Sequence, residues 1–493
     1  MTHLSSISRL LFAALCSALF ASSVLSSGCT LTMNYQQCSK DSDCPMTDGV
    51  AQFCTGDGLC IHDTPEDRLC TKTIPEDPPG DAVHIGALLD LREENGVPVE
   101  LLRLRALELG VGQINDLVQL DGIPTLAIDV CNVGESPVDA DNATRVLIEQ
   151  RSVKAIIGPN SPSAAKLMIA RVKAAGVPTI SPAIMDTSTT SAASQGLFFF
   201  MAPVEAEQGL QMVRTLTAIS GGKSTAQLSL ISVATPYGEN IRRKFTTEWQ
   251  RKDTANKTDK FYSYNEGDAV NQQVVTEKAI TDAPDYAVAI PGSDGTSLIT
   301  ALTKLPPANF ITDPQKDLLE SGTALLVSHS ARSFGLLNLA KTGDAATRDH
   351  LERIRGVAPL SFINAQEGTD LQVSFKVAYP DLPIEQDLLV GYTYDSLLVI
   401  AAASASVRGA SRPDQILAVL RRLNGTATSL SLTPRLFKES VQKLVQQPND
   451  SFTLIGSTGA IRFRSDGGRE PALLETWTVD VTNAHFKSVP VVM

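Results

Sequence analysis

The sequence predicts an α/β protein of two doubly wound parallel-sheet lobes, preceded by a small disulfide-rich segment. From residue 83 onward, short apolar runs alternate with amphipathic helical patterns, which is typical of parallel strands covered by helices on both faces. The same alternation starts again at residue 227. About 410 residues follow residue 80, more than one hydrophobic core usually holds, so we expect two lobes.

The predicted elements follow one another in a regular order. Residues 83–91 form an apolar strand, and residues 99–115 place Leu102, Leu109 and Ile114 at helical spacing. The remaining strands of the first lobe are predicted at residues 125–130, 155–158 and 177–181, with helices at 140–150 and 164–175. Strands of the second lobe are predicted at residues 227–233, 286–290 and 324–328.

The N-terminus has the pattern of a secretory signal peptide over residues 1–28. Arg9 precedes the apolar run 10–25, which ends in small residues. This run is shorter than the ~20 apolar residues that span a bilayer, so the alternative is a buried N-terminal helix rather than a membrane span. The stretch Leu25-Ser26-Ser27-Gly28-Cys29 resembles the bacterial lipobox, although its leucine lies four residues before the cysteine rather than three.

We therefore expect Cys29 to be lipidated. More than one acyl chain holds a protein durably to a membrane, whereas a single chain binds only marginally. The predicted localisation is that of an exported protein anchored by lipid to a bacterial membrane, facing the periplasm or the exterior.

The other cysteines predict disulfides. Of the eight cysteines, Cys16 leaves with the signal peptide and Cys29 would be lipidated, so six remain, an even number in a chain predicted to be exported. These are Cys38, Cys44, Cys54, Cys60, Cys70 and Cys131, and their pairing is left open. The first five lie in a stretch too poor in large apolar residues to build a core, and Cys131 is expected to pair back to it. Residues 74–80, rich in proline, predict a linker that ends a separate segment at residues 29–80.

A metal site in this segment is not expected. A zinc site would need a C-x-x-C pair, which is missing, and only His62 lies among these cysteines. Asp41 and Asp43 have the spacing of a calcium loop, but Pro45 stands where the third ligand belongs.

Charge and motifs argue against a nucleic-acid-binding protein and against an enzyme. The formal net charge is -12, and lysine and arginine are not clustered. The G-x-S-x-G, H-E-x-x-H and G-x-x-x-x-G-K-[ST] motifs are absent from the sequence, and Gly110 and Gly112 lack the third glycine of a dinucleotide fingerprint. We therefore expect neither catalysis nor a cofactor.

Small polar residues follow several of the predicted strands. In doubly wound sheets ligands lie beyond the carboxyl ends of the strands, where helix N-termini expose their N–H groups. The polar loops at these positions are residues 158–163, 181–186, 235–238 and 291–295. We expect Ser161, Ser163 and Ser293 to contact a ligand; for any one serine a helix cap is the stronger alternative, and the four loops together carry the prediction.

Residues 83–477 contain ordered stretches similar to those of one family. They are HIGALLDL, RALELGVGQIN, RVLIEQRSVKAIIGPNSPSAA, KAAGVPTISPA, FFFMAPVEAEQG, TPYGENIRRKF, PDYAVAIPGSDGTSLITAL, IRGVAPL, FKVAYP, GYTYDSLLVIAAA and TGAIRFRSDGGR. The chain thereby resembles the type I periplasmic solute-binding proteins of the leucine/isoleucine/valine-binding kind.

The resemblance implies three crossovers between the lobes, near residues 202–203, 359–360 and 456–459. Lobe one would then comprise residues 81–203 with 361–455, and lobe two residues 204–360 with 456–493. It also implies hinge closure on a ligand, because the closed form gains contacts from both lobes.

The resemblance also implies where a ligand is held. Ser161 or Ser163 and the stretch of residues 183–187, which includes Ile184 and Asp186, correspond to positions that hold the substrate carboxylate. Asp186 would repel a carboxylate, and Met185 stands about where the family often has a serine or threonine.

In the second lobe, Tyr237 matches the tyrosine of the family's YG turn. His329 stands where the family usually has a carboxylate for the substrate amine, so we do not expect a leucine-type amino acid as the ligand. The alternative for His329 is a satisfied histidine near a strand end. We interpret Asp395 as a structural charge at a helix N-terminus.

The expected function is therefore capture of a small molecule, amino-acid-like or otherwise polar, for an ABC-type importer whose permease would be the membrane partner. The alternative is a ligand-sensing or regulatory lipoprotein that acts on a membrane or cell-wall partner. The cysteine-rich segment favours some extra interaction; the alternative is that it is only a spacer.

Overall fold

The structure, a computed structural model, describes residues 43, 52–54, 60–62, 67–94, 97–118, 125–134, 136–185, 195–219, 227–252, 259–282, 284–292, 295–304, 324–363, 365–407, 412–471 and 473–490. The chain forms two compact units, Met1–Arg68 and Leu69–Met493. In the first unit, β1 (Gln52–Cys54) pairs antiparallel with β2 (Cys60–His62). The predicted signal peptide, Cys29, Cys38 and Cys44 lie outside the described residues.

The strands of the second unit alternate with helices for most of its length. In chain order the strands are β3 (Lys72–Ile74), β4 (Val83–Leu89), β5 (Glu93–Glu94), β6 (Val97–Pro98), β7 (Leu126–Asn132), β8 (Ile156–Ile157), β9 (Thr179–Ser181), β10 (Phe198–Phe200), β11 (Leu228–Val233), β12 (Lys260–Tyr264), β13 (Tyr286–Ile290), β14 (Ala324–Val327), β15 (Arg355–Pro359), β16 (Ser429–Ser431), β17 (Thr453–Gly456), β18 (Gly459–Phe463), β19 (Arg469–Glu470), β20 (Leu474–Asp480) and β21 (His485–Pro490).

The helices of this unit cover the sheets. They are α1 (Leu101–Val118), α2 (Pro137–Glu149), α3 (Pro162–Ala175), α4 (Glu205–Ile219), α5 (Pro236–Lys252), α6 (Ala269–Thr281), α7 (Gly295–Lys304), α8 (Phe334–Thr342), α9 (Ala345–Arg353), α10 (Gln366–Ala378), α11 (Val390–Ser406), α12 (Pro413–Leu420) and α13 (Pro434–Gln446). Ser161 caps α3 by accepting a hydrogen bond from the N–H of Ala164, and Gly176 ends the helix in the left-handed conformation (φ 66°).

Two large sheets confirm the predicted α/β fold class. The first has the order β10-β9-β8-β4-β7-β3 and is parallel except for β3. The second has the order β12-β11-β13-β14-β15-β20-β21 and is parallel from β12 to β15. Its last two strands are antiparallel.

Both faces of each large sheet are buried, as the continuous apolar strands predict. In β4, Ile85 and Ala87 lie in one hydrophobic cluster with the core of α11, whereas Leu88 lies in another cluster with α2 and α3. In the second sheet, Ile231 and Leu230 likewise belong to two different clusters. Neighbouring residues of a strand therefore serve opposite layers of helices.

Strand β3 ends at Ile74, the first residue of the linker expected at residues 74–80. Lys72–Ile74 pairs antiparallel with β7 at the edge of the first sheet, directly before Pro75. An edge strand uses only one side for its hydrogen bonds, so a proline at its end does not interrupt the ladder. Just before β3, Cys70 forms a disulfide with Cys131 of β7, which confirms that Cys131 pairs with the preceding cysteine-rich stretch.

A smaller sheet of β16, β17, β18 and β19 completes the first core. Leu430 of β16, Leu454 of β17, and Ile461 and Phe463 of β18 all belong to the same hydrophobic cluster as the first sheet. The chain then enters the second sheet at β20. This passage lies after Glu470, further along the chain than the crossover expected at residues 456–459, because β18 packs on the first core.

Gly356 of β15 lets the Trp477 indole pack directly on the strand. The two residues are cross-strand partners, and a Cβ at Gly356 would lie 1.9 Å from Cε2 of the fully buried Trp477. We expect Gly356→Ala to lower the free energy of unfolding by about 3 kcal/mol, because the ring must move within a packed core. The measurement is equilibrium denaturation in urea.

Gly112 provides the matched control for this substitution. It lies within α1, and a Cβ there would meet nothing within 4 Å. Gly112→Ala should therefore stabilise the protein by about 0.5–1 kcal/mol through helix propensity. Equal effects of the two substitutions would contradict the packing described for Trp477.

Candidate functional site

The candidate site lies at the carboxyl ends of the parallel strands. On the side of the first sheet, Ser161 and Ser163 follow β8, and their hydroxyl oxygens are 3.2 Å apart. Ser163 is exposed, and Ser161 also caps α3. Both serines therefore stand at an accessible helix N-terminus, where N–H groups favour polar or anionic groups.

The loop after β9 contains Ile184 and Met185, both buried. The side chain of Ile184 lies in a hydrophobic cluster, and its N–H donates to Ser181 Oγ at 2.9 Å. The Ile184 side chain, expected to contact a ligand, therefore packs into the hydrophobic core beneath the loop. Asp186 and Ser293, two other residues expected to contact a ligand, lie outside the described residues.

A polar cluster next to Ser161 fixes the edge of the first sheet. Asn160 Nδ2 donates to both carboxylate oxygens of Glu100 at 2.7 Å, and the N–H of Asp90 donates to Glu100 Oε2 at 2.9 Å. Arg103 pairs with Glu100 and, at 2.7 Å, with Asp387. Burial raises the pKa of Glu100, and Arg103 opposes that effect. The sequence patterns did not single out this cluster.

On the side of the second sheet, the structure brings Tyr237 and His329 together. Their rings meet edge to face with centroids 5.2 Å apart, and the Tyr237 hydroxyl lies 3.1 Å from His329 Nδ1. The same hydroxyl donates to Ser328 Oγ at 2.9 Å and lies 3.2 Å from Ser330 Oγ. Tyr237 begins α5, whereas the other three residues follow β14, so the fold joins residues about 90 positions apart.

Gln208 of α4 links this group to the loop after β9 of the first sheet. Its Oε1 lies 2.9 Å from His329 Nδ1, and its Nε2 donates to Met185 Sδ at 3.0 Å. Sequence reasoning missed Gln208 because it lies inside a helix, 121 residues before His329. Its polar side chain on the buried face of α4 is the one signal that could have indicated it.

Burial governs the protonation of this group. It lowers the pKa of His329 from its usual 6.5 to about 4, and it raises the pKa of Tyr237 well above its usual range. At neutral pH both side chains are therefore uncharged. A Tyr237 hydroxyl that keeps its proton is a hydrogen-bonding group and not a nucleophile.

The depressed pKa of His329 predicts a loss of stability in acid. The unfolded chain takes up the proton near pH 6.5 and the folded protein only near pH 4, so stability present above pH 6.5 is lost as the pH falls toward 4. The expected loss from this residue is roughly 3 kcal/mol. Urea denaturation at pH 7 and pH 4.5 should show a smaller loss for His329→Gln than for the unmodified protein; equal losses would contradict the buried neutral imidazole.

A second buried network joins α11 to the turn between β17 and β18 and to β19. Asp395 accepts hydrogen bonds from the N–H and the hydroxyl of both Ser457 and Thr458, at 2.5–2.9 Å. Arg469 donates to Thr458 Oγ1 at 2.7 Å and to the carbonyl of Met201 at 3.2 Å. This arrangement gives Asp395 a structural position, in the interior of α11 and not at its N-terminus as expected.

Among the described residues, no group of three or more His, Cys, Asp or Glu side chains is placed to hold a metal ion. In the part of the chain that the structure describes, no helix combines the length and apolar character needed to cross a membrane. A shallow groove between α2 and α3, beside the Arg171–Asp141 ion pair, is formed by helix surfaces and lies away from the strand ends.

Comparison with known proteins identifies the fold. Residues 82–309 match the model of a family described as periplasmic binding protein. No curated protein sequence matches the chain.

Solved structures with the same fold cover most of the chain. One is the branched-chain amino acid transporter substrate binding protein LivJ from Streptococcus pneumoniae in complex with isoleucine, with a TM-score of 0.58 and 15% identity over 83% of this chain and 99% of that one. A Rhodopseudomonas palustris solute binding protein in complex with benzoate has a TM-score of 0.56 and 14% identity, over 83% and 96% of the chains. Another, from strain BisB5 of that species in complex with 3,4-dihydroxybenzoic acid, has a TM-score of 0.59 and 10% identity over the same shares.

These matches agree with the family that the ordered sequence stretches indicate. The two parallel sheets, joined by three passages of the chain, supply the corresponding architecture. The chain therefore has the type I periplasmic binding protein fold, and residues 82–309 are similar to the family described as periplasmic binding protein.

Proposed function

We propose that the protein binds a small polar solute between its two lobes and delivers it to an ABC-type importer. The observation that carries the proposal is the group of Tyr237, His329 and Gln208, which faces the carboxyl ends of the second sheet and is linked to Met185 of the first lobe. A ligand beside this group would gain contacts from both lobes in the closed form. The similar structures hold an amino acid and aromatic acids, and these ligands support a small polar solute for this protein.

Thermal denaturation of the purified protein tests solute binding. The compounds are L-isoleucine, L-leucine, benzoate and 3,4-dihydroxybenzoate, followed by small amides and short peptides. A ligand at 100 times its Kd should stabilise the folded protein by about 2.7 kcal/mol and raise the melting temperature accordingly. A melting temperature unchanged by every compound would count against solute binding.

The importer and the lipid anchor need separate tests. Deletion of the gene should abolish cellular uptake of the compound that binds, and reintroduction should restore it. We propose that lipid on Cys29 attaches the protein to the membrane. Cys29→Ser should therefore move the protein from the membrane fraction to the soluble fraction. If that variant stays in the membrane fraction, lipid on Cys29 does not anchor the protein.

A second candidate is a ligand-sensing or regulatory lipoprotein acting on a membrane or cell-wall partner. It is favoured by the N-terminal unit Met1–Arg68, which is compact on its own and has no evident use in transport. Normal uptake of the bound compound after gene deletion would favour this candidate over the importer.

A further inference from the structure

We propose that His329 presents an unprotonated Nε2 to the ligand, so that the site selects a solute group that donates a hydrogen bond. The inference rests on the proposed function, since it places the ligand beside His329. Two independent sets of contacts around the ring determine which of its nitrogens carries the proton.

The first set is a chain of hydroxyl groups with a fixed direction. The carbonyl of Pro291 can only accept, so Ser330 Oγ donates to it at 2.6 Å. Ser330 Oγ has then used its proton, so Ser328 Oγ donates to it at 3.0 Å. The Tyr237 hydroxyl in turn donates to Ser328 Oγ at 2.9 Å.

This direction decides the contact between Tyr237 and His329. Once the Tyr237 proton points to Ser328, the phenol oxygen has only lone pairs for His329 Nδ1 at 3.1 Å. Nδ1 must therefore be the donor.

The second set of contacts runs through Gln208. Its side-chain amide lies between Met185 Sδ at 3.0 Å and His329 Nδ1 at 2.9 Å. A thioether sulfur is an acceptor, so the NH₂ group faces Met185 and the amide oxygen faces the imidazole. An amide oxygen only accepts, and Nδ1 must again be the donor.

A neutral imidazole carries a single proton, and both arguments place it on Nδ1. Burial, which lowers the pKa of His329 to about 4, keeps the ring neutral at pH 7. Nε2 is then a bare acceptor on a ring that is only partly covered, and the hydrogen bonds of His329 with described residues all use Nδ1.

The surroundings favour the same kind of ligand group. Burial is the largest cause of the raised pKa of Tyr237, and the negative charge of Glu205 raises it further, so this buried carboxyl group contributes negative potential near the pair. A hydroxyl, an amide N–H or an ammonium group suits a bare nitrogen in this field. A carboxylate at the same position would face an acceptor with no proton between them.

Nitrogen-15 NMR of the ligand-free full chain, labelled at histidine and held at pH 7, tests the tautomer directly. His329→Asn identifies the signals by their loss from those of the six histidines. The expected result is a protonated Nδ1 and a pyridine-like Nε2. A proton on Nε2 would overturn the proposal, since the ring would then donate to the ligand.

A matched pair of probes tests the selectivity. Benzoate and 3,4-dihydroxybenzoate differ only by two hydroxyl donors, and we expect the dihydroxy compound to bind at least about tenfold more tightly, the effect of one hydrogen bond of ~1.4 kcal/mol. His329→Asn retains an N–H near the Nδ1 position and should remove that difference without lowering the melting temperature of the free protein. Equal affinities for the unmodified protein would contradict the selection.

The two proposals can fail separately. If neither aromatic acid binds, the NMR result alone decides the tautomer, and the wider solute panel decides whether the protein binds a solute. A bound solute together with a proton on Nε2 leaves the proposed function intact and removes only this inference.

Discussion

Asp395→Ala is expected to lower the free energy of unfolding by about 3–5 kcal/mol. The substitution removes the acceptor of hydrogen bonds from the N–H and hydroxyl groups of Ser457 and Thr458, all buried. It also leaves the charge of Arg469, which lies 2.7 Å from Thr458 Oγ1, without its nearby carboxylate. Denaturation in urea, followed by tryptophan fluorescence, gives the measurement.

Two variants make this test specific. Asp395→Asn keeps the size and one acceptor oxygen, so its loss should be smaller than that of the alanine variant. Asp414→Ala removes a carboxylate of an exposed ion pair with Arg412 and should change stability by less than about 1 kcal/mol. An Asp395→Ala protein as stable as Asp414→Ala would show that the buried network contributes little to the stability of the fold.

Glu475→Ala, in β20 of the second sheet, should have an effect of similar size, about 3–5 kcal/mol. Glu475 pairs with Arg332, and only 3% and 4% of the two side chains are exposed. The guanidinium also lies 5.1 Å from the Phe486 ring centroid, and because it is buried, removal of Glu475 leaves a buried cation without its carboxylate partner. The melting temperature and the urea midpoint should both fall.

The double variant Arg332→Met with Glu475→Leu separates the cost of the unpaired charge from the cost of lost packing. Replacing a buried ion pair by apolar residues of similar size is often close to neutral, because no charge is left without a partner. The double variant should therefore recover most of the stability lost by Glu475→Ala. If the double variant is no more stable than Glu475→Ala, lost packing and not the unpaired charge causes the loss of stability.

The sequence predicted the parallel strands well because their side chains are apolar on both faces. Tyr286–Ile290 is found as predicted, and Val83–Leu89 and Leu228–Val233 differ from the predictions only at their ends. Strand β3 could not be predicted, since it is only three residues long and proline follows it at once. The position of β18 depends on distant packing partners that no local pattern contains.

The site was only partly predictable. Tyr237 and His329 were predicted as ligand contacts because each follows an apolar strand, the position where ligands bind in such sheets, and the structure brings the two side chains together. Gln208 and Glu100 lie within or beside helices, and only the fold brings them to the strand ends. Asp395 was predicted to be structural. Its carboxylate is held by hydrogen bonds from a turn about 60 residues further along the chain, and not by the helix dipole.

The late return of the chain to both sheets has a consequence for how the protein is made. The first core needs Ile461 and Phe463, and the second sheet needs β20 and β21 at residues 474–490. Neither core can therefore close while the polypeptide is still being synthesised over most of its length, and contacts so distant in sequence form slowly. A fragment ending before residue 460 would expose apolar surface from both cores, so we expect it to aggregate and not to fold as one lobe.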